Sequence, residues 1–493
     1  MRFVVVLLTC LWLWPALAEA QMAFTPLQEG EFEQKDDLKD PPANLTLHGF
    51  YEAGYFLPRE SYWGNSLAPA TSRQEMLLAI RSTFNENLSL NAHISNQKTL
   101  LNDQRLGYMS ERESEWGTSR EADGMTLHFK EAYLEYNHNP NAVLKLGYQA
   151  ANPADGMGLV YQGIGSGITQ RCRMGTWCYY IGALKLDTPE NNTLFWGQLD
   201  YPIFETGVTT QDPWMGKRQV SSLNVEVFRV FYNGNHIPLS RYEGWVAPYS
   251  DAHLQNENGK YISFDQRKTE YVGFNLKWNY YAFQLHQNLI TLHSTRNFYA
   301  VDANSDDRNF YPKRIKGGIL RRSDIFTHLG EGWRWRLERL DSPGTDHDTP
   351  AEEEWWKEDS KGYSEVQKGF FGDALIYLNG LDLSGDGHSV NNLEYWRSGF
   401  DYATDRNDFR AKLDWYQFNY NKSVFNDQNR RISKVGHEYD LVLSWNLEKP
   451  LVIEAWGAYF VPDGGYAPTD FAAPRLSEQN SFSRWGAHLK YSF

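Results

Sequence analysis

Alternation with a period of two residues runs through this chain from Leu45 almost to its last residue, and few architectures sustain it over such a length. In the first segment Leu45, Leu47, Gly49, Tyr51, Ala53, Tyr55 and Leu57 alternate with Thr46, His48, Phe50, Glu52 and Gly54. Leu88, Leu90, Ala92 and Ile94 alternate with Ser89, Asn91, His93 and Ser95. Trp333, Trp335 and Leu337 alternate with Arg334, Arg336 and Glu338. Phe409, Ala411, Leu413 and Trp415 alternate with Arg410, Lys412 and Asp414, and Tyr439, Leu441 and Leu443 with Glu438, Asp440 and Val442. Successive strand side chains point to opposite faces. Each segment is therefore a strand with an apolar face and a polar, often charged, face. A closed membrane barrel suits both faces at once, the apolar one against lipid and the polar one against a lumen.

The connections alternate as well. Short polar turns fall at 85–87, 138–141, 404–407 and 446–450, and long polar stretches at 100–123, 297–314, 341–368 and 462–481. Short turns at one end and long loops at the other are the mark of outer-membrane barrels. A soluble β-sandwich has no need of that asymmetry. About 450 residues at roughly 25 per strand and connection predict an all-β transmembrane antiparallel β-barrel of about 18 strands (on the order of 16–18), wide enough for an aqueous channel. Residues 205–265 give one clear strand, near 222–233, followed by an irregular stretch with Pro238 and Pro248. In the last strand Trp485, Ala487, Leu489, Tyr491 and Phe493 share one face, and Gly486, His488, Lys490 and Ser492 the other. An open edge in hydrocarbon leaves backbone groups unsatisfied at several kcal/mol each, so this strand is expected to close on the first. Its terminal aromatic resembles the insertion signal read by barrel-assembly machinery, here Trp485, Leu489, Tyr491 and Phe493.

The N-terminus sets the compartment. Residues 3–18 form an apolar run behind Arg2, ended by Ala18-Glu19-Ala20. This reads as a secretory signal peptide over 1–20. Residues 21–43, acidic and closing on Pro41-Pro42, read as a flexible periplasmic segment, leaving 44–493 for the barrel with long extracellular loops. The remaining chain has no apolar run of about 18 residues, and mean hydropathy is −0.60. A barrel shows only alternate residues to lipid, so a low average is what a barrel has. Aromatics make up 15% of the chain, enough for girdles at two interfaces. The net charge of −14 argues against nucleic acid as a partner.

Chemistry-bearing motifs are sparse. Of three cysteines, Cys172 and Cys178 lie beyond the signal peptide. In an oxidising compartment a small Cys172–Cys178 disulfide loop is expected, with free thiols as the alternative. Asp302-Ala303-Asn304-Ser305-Asp306 copies the first ligands of a calcium loop, but Asp307 and Lys313 occupy positions that need Gly and Glu, so no metal is assigned. The acidic stretch 341–362 reads as a solvated loop. No G-x-S-x-G, H-E-x-x-H or P-loop is present, so neither an enzyme nor a cofactor is expected.

Two stretches resemble the alginate-export family of outer-membrane porins. The first is Lys130-Glu131-Ala132-Tyr133-Leu134-Glu135-Tyr136 followed by Leu144-Lys145-Leu146-Gly147-Tyr148-Gln149. The second is Gly436-His437-Glu438-Tyr439-Asp440-Leu441-Val442 followed by Gly457-Ala458-Tyr459-Phe460-Val461-Pro462 and the turn Asp463-Gly464-Gly465. The resemblance implies an 18-stranded monomeric channel and a lumen that passes an anionic polysaccharide. Tyr148 stands where the family carries arginine, which removes a positive charge from that expectation.

Strand parity nominates Lys145, Gln149, Arg334, Arg336, Arg410, Lys412, Asp414, Glu438 and Asp440 as pore-lining. They form either a charge-opposed field that selects solutes or salt-bridge networks that stiffen the wall. The expected function is a porin-like bacterial outer-membrane channel for hydrophilic solutes or a polysaccharide. A sheath around a cytochrome or secretion component is the alternative, and a barrel enzyme stands behind both. Expected partners are outer-membrane lipid and lipopolysaccharide, the barrel-assembly machinery and the transported solute.

Overall fold

The computed structural model describes residues 44–58, 71–101, 127–139, 141–154, 158–161, 163–186, 192–206, 208–212, 216–219, 221–234, 260–302, 308–344, 374–378, 390, 392–404, 408–425, 431–448, 451–463 and 481–492. Its strands are β1 (Asn44–Pro58), β2 (Thr71–Thr83), β3 (Leu88–Leu101), β4 (Leu127–Asn139), β5 (Ala142–Ala151), β6 (Gly163–Met174) and β7 (Trp177–Leu186). They continue with β8 (Thr193–Glu205), β9 (Thr209–Asp212), β10 (Gly216–Gln219), β11 (Ser221–Gly234), β12 (Lys260–Tyr280), β13 (Phe283–Asp302) and β14 (Arg308–Gly330). The remainder are β15 (Trp333–Asp341), β16 (Leu393–Ala403), β17 (Phe409–Phe425), β18 (Arg431–Glu448), β19 (Leu451–Pro462) and β20 (Phe482–Ser492).

Eighteen of these strands make one antiparallel sheet in chain order, and β9 and β10 pair with each other as a separate ribbon between β8 and β11. The sheet closes where β1 meets β20, with Tyr51 opposite Tyr491, Ala53 opposite Leu489 and Leu57 opposite Trp485. The last strand thus pairs with the first, and the closed sheet has no open edge. Eighteen strands agree with the expected count.

The two faces differ as a lipid-facing barrel requires. Leu45, Leu146 and Leu413 are more than half exposed. Trp333, Trp485, Leu489 and Tyr491 share that outward side and are also exposed. Alternate residues on the same strands, Arg334, Arg336 and Glu338 among them, are buried, which marks the inner side. A closed antiparallel barrel with an outward apolar face is a bacterial outer-membrane architecture.

Turns at 84–87, 281–282 and 331–332 gather at one end, together with the start of β1 and the end of β20. At the β14–β15 turn Gly330, Glu331 and Gly332 all take positive φ, and the Gly332 carbonyl accepts the Ala403 N–H at 3.0 Å. The stretch 297–314, expected as a long loop, is mostly strand: β13 runs to Asp302 and β14 begins at Arg308. Ladder bonds require only backbone groups, so a hairpin continues where apolar alternation has stopped. The expected signal peptide, the segment 21–43, Phe493 and most of the acidic stretch 341–362 lie outside the described residues.

Candidate functional site

Followed from the short-turn end to the long-loop end, the inner face changes character on strand after strand. On β11 Ser222, Asn224 and Glu226 give way to Phe228, Val230 and Tyr232. On β13 Gln284, His286 and Asn288 give way to Ile290 and Leu292, and on β17 Arg410, Lys412 and Asp414 give way to Tyr416 and Phe418. On β8, which runs the opposite way, Asp200 and Gln198 precede Trp196 and Leu194 in the same sense. The lumen wall therefore has a hydrophilic half near the short turns and an apolar collar near the long loops.

The chain fills that collar itself. Ala154, Leu159, Val160 and Tyr161, from the β5–β6 connection, join the same buried cluster as Ala374, Ile376, Tyr377 and Leu378, from the β15–β16 connection. Tyr377 lies 4.5 Å from the Phe418 ring and is stacked on Phe460 at 6.1 Å. Two inward carboxylates hold the second segment. Ile376 N–H donates to Glu438 Oε1 at 2.6 Å, Tyr377 N–H to Glu438 Oε2 at 3.0 Å, and Leu375 N–H to Asp440 Oδ2 at 3.0 Å. The connection is clasped at its base, where Ser342 N–H donates to the Leu393 carbonyl at 2.8 Å and Asn392 Oδ1 accepts Lys422 N–H at 2.7 Å. Residues 374–378 form an inward strap that narrows the lumen.

Below the strap, four adjacent strands carry a continuous charge network. Arg322 Nε donates to Glu338 Oε1 at 2.6 Å, and Arg336 reaches both Asp324 (3.0 Å) and Glu338 (3.2 Å). Arg397 forks onto Asp414 at 2.8 and 2.7 Å, and Arg334 grips Asp401 at 2.8 Å. Tyr395 Oη donates to Glu338 Oε1 at 2.8 Å. A Cβ at Gly399 would overlap the Asp414 carboxylate, so glycine leaves the room this pair occupies. Four guanidiniums face four carboxylates, all nearly or fully buried, so the network is neutral as a whole. Buried pairs of this kind, bidentate at Arg397–Asp414, stiffen a wall, though Asp401 Oδ1 has no hydrogen-bond partner among the described residues. Arg334, Arg336 and Asp414 are buried and pinned in these pairs, while Arg410 and Lys412, on the same strand parity as Asp414, are only half buried.

The sector from β5 to β12, one strand away from this network, is looser. There the wall encloses a cavity of about 540 Å³, lined among others by Lys145, Gln149, Arg171, Asp200, Glu226 and Lys277. Lys145 Nζ stands 3.3 Å from Tyr133 Oη, and Gln149 Oε1 accepts Thr169 Oγ1 at 2.7 Å. Two expectations are corrected here. Tyr148 lies on the opposite face from Lys145 and Gln149, with Leu144 and Leu146, so its replacement of arginine takes no charge from the lumen. Cys172 and Cys178 are free thiols. Cys172 is the cross-strand partner of Tyr179 and Cys178 that of Arg173, which sends the two side chains to opposite faces of the β6–β7 hairpin, where a disulfide cannot form. Cys178 lines the cavity, with Arg171 Nε 3.4 Å from its sulfur. Among the described residues no group of three His, Cys, Asp or Glu side chains is placed to hold a metal ion.

The apolar collar and the strap were not foreseen in the sequence. The signal was present: apart from Arg229, both parities turn apolar in Val227-Phe228-Arg229-Val230-Phe231-Tyr232, as they do in Ala458-Tyr459-Phe460-Val461, and Ala374-Leu375-Ile376-Tyr377-Leu378 is an apolar run inside a long polar connection.

No family model matches the chain. No curated relative matches it either. The likeness of the 130–149 and 436–462 hairpins to alginate-export porins has no family match behind it, and the solved structures bear on the fold. The outer membrane protein OpdK from Pseudomonas aeruginosa aligns with a TM-score of 0.50 at 11% identity, covering 91% of this chain and 98% of its own. A BenF-like porin from Pseudomonas fluorescens Pf-5 aligns at 0.49 and 9%, covering 91% and 98%. OccAB4 from Acinetobacter baumannii aligns at 0.49 and 10%, covering 92% and 99%. At such identities the likeness is one of fold: this chain is similar to OpdK in folding as an outer-membrane-type β-barrel.

Proposed function

We propose that the protein is a bacterial outer-membrane channel for small hydrophilic solutes. The observation that carries the reading is the two-part lumen. A hydrophilic, charged inner wall leads from the short-turn end to a collar narrowed by Ala154, Leu159, Val160, Tyr161 and residues 374–378. Such a path selects by size at the collar and by charge along the wall. Lys145, Gln149, Arg410 and Lys412 are the wall residues that meet solute, Arg334, Arg336 and Asp414 hold the wall rigid, and Glu438 and Asp440 set the constriction. A small solute fits a narrowed lumen better than a polysaccharide does. The sheath reading is disfavoured because the chain's own segments occupy the long-loop half, where a protein partner would have to pass. Trp485, Leu489 and Tyr491, exposed on the closing strand, act with Phe493 as the insertion signal in this scheme.

Liposome swelling tests the proposal. Vesicles carrying the full chain should swell in small neutral sugars and amino acids and resist swelling in long oligosaccharides. Equal rates for both would remove the constriction from the account, and no swelling in any solute would remove the channel.

A further inference from the structure

We propose that the cavity in the β5–β12 wall is a docking site for a small zwitterion, with the ammonium group at Asp200 and Glu226 and the carboxylate at Lys145 and Arg171. The inference rests on the channel reading and names a solute class for it. At about 540 Å³ the cavity has the size of a small-molecule site. Five charged side chains, Lys145, Arg171, Asp200, Glu226 and Lys277, line it beside the apolar parts of Val143 and Tyr180, so a small charged occupant is favoured.

The charges are sorted by strand. Lys145 on β5 and Arg171 on β6 stand at one end. Asp200 on β8 and Glu226 on β11 are direct cross-strand partners. Side chains so paired lie about 5 Å apart at Cβ; Asn275 Nδ2 donates to Glu226 Oε1 at 2.7 Å, and an ammonium group would add a positive charge where two carboxylates face each other. Lys277 on β12 flanks the carboxylates and offsets part of their charge. Strands β6 and β8 are two sheet spacings apart, about 10 Å. Side chains converging from both leave a gap of a few ångström, matching the charge separation in a short zwitterion.

The groups between are fixed. The Gln149 amide is tied to Thr169 Oγ1 and to the Gly167 carbonyl, and Arg171 is steadied by Cys178 Sγ. A simple anion meets Asp200 and Glu226, and a simple cation meets Lys145, Arg171 and Lys277. A molecule carrying both charges is matched at both ends.

The test is interruption of the KCl current through the full chain in planar bilayers. The probes are glycylglycine, N-acetylglycylglycine (no ammonium) and glycylglycine amide (no carboxylate). Glycylglycine should block about fivefold more tightly than either analogue, the factor set by one partly exposed charge pair of up to ~1 kcal/mol. Glu226→Gln or Asp200→Asn should erase its advantage over the N-acetyl form, and Arg171→Gln its advantage over the amide. Equal blocking by all three probes in the unaltered chain, which needs no variant to fold, overturns the proposal while conductance keeps the channel reading intact. So does an advantage that survives the substitutions. A barrel that inserts without conducting overturns both.

Discussion

Glu438→Gln is the most informative single change, because the strap is held by a near balance. Burial of Ile376, Tyr377 and Leu378 contributes about 1.5–3 kcal/mol each, roughly 4.5–9 in total. Ordering the five residues 374–378 costs about 1–2 kcal/mol each in backbone entropy, roughly 5–10. The two sums nearly cancel, so the bonds to Glu438 and Asp440 decide whether the strap stays docked. Each bond to the Glu438 carboxylate is worth about 1.5–3 kcal/mol. Glutamine keeps one acceptor, now neutral, and turns an NH₂ donor toward the second backbone N–H, for a net loss of about 2–4 kcal/mol. The strap should then leave the wall for part of the time. Single-channel recording should show a larger mean conductance with added flicker, and hydrogen exchange at the amides of 375–377 should accelerate. Unchanged conductance and noise in both Glu438→Gln and Glu438→Ala would refute the reasoning, since the strap would then either lie off the conducting path or be held by other means.

Further outcomes follow from the same geometry. Arg397→Ala leaves Asp414 buried without its bidentate partner and should cost about 3–5 kcal/mol, read as a lower midpoint of heat-induced loss of barrel mobility on gels. Leu413→Arg places a charge on the outward face in mid-strand and should cost about 2–4 kcal/mol in a refolding titration into lipid vesicles. Cys172→Ser and Cys178→Ser should leave thermal stability the same with and without reductant, and a charged water-soluble thiol reagent should reduce current through Cys178 but not through Cys172.

Much of the barrel was legible because lipid imposes a simple rule on every strand. Leu413 and Tyr439 face out and Asp414 and Glu438 face in because hydrocarbon rejects charge, and parity alone reveals that. The closing of β20 on β1 followed from the cost of an open edge. The interior was harder to read. Period two says which side chains turn inward, not what they meet there: Arg334 could face solute or Asp401, and only the register of β15 against β16 decides. The disulfide failed for the same reason, since six residues of spacing leave face undetermined until the hairpin register is fixed. The strap contact joins Ile376 to Glu438 across 62 residues, and no local pattern encodes such a pairing.

The most direct test of the central claim is conductance of the purified full-length barrel in a planar bilayer under a salt gradient. The account predicts discrete open steps, smaller than an unobstructed 18-stranded lumen would give, with a reversal potential that moves toward cation preference when Lys145 and Lys412 are both replaced by alanine. Insertion without steps, or steps of full-lumen size that ignore those substitutions, would contradict it.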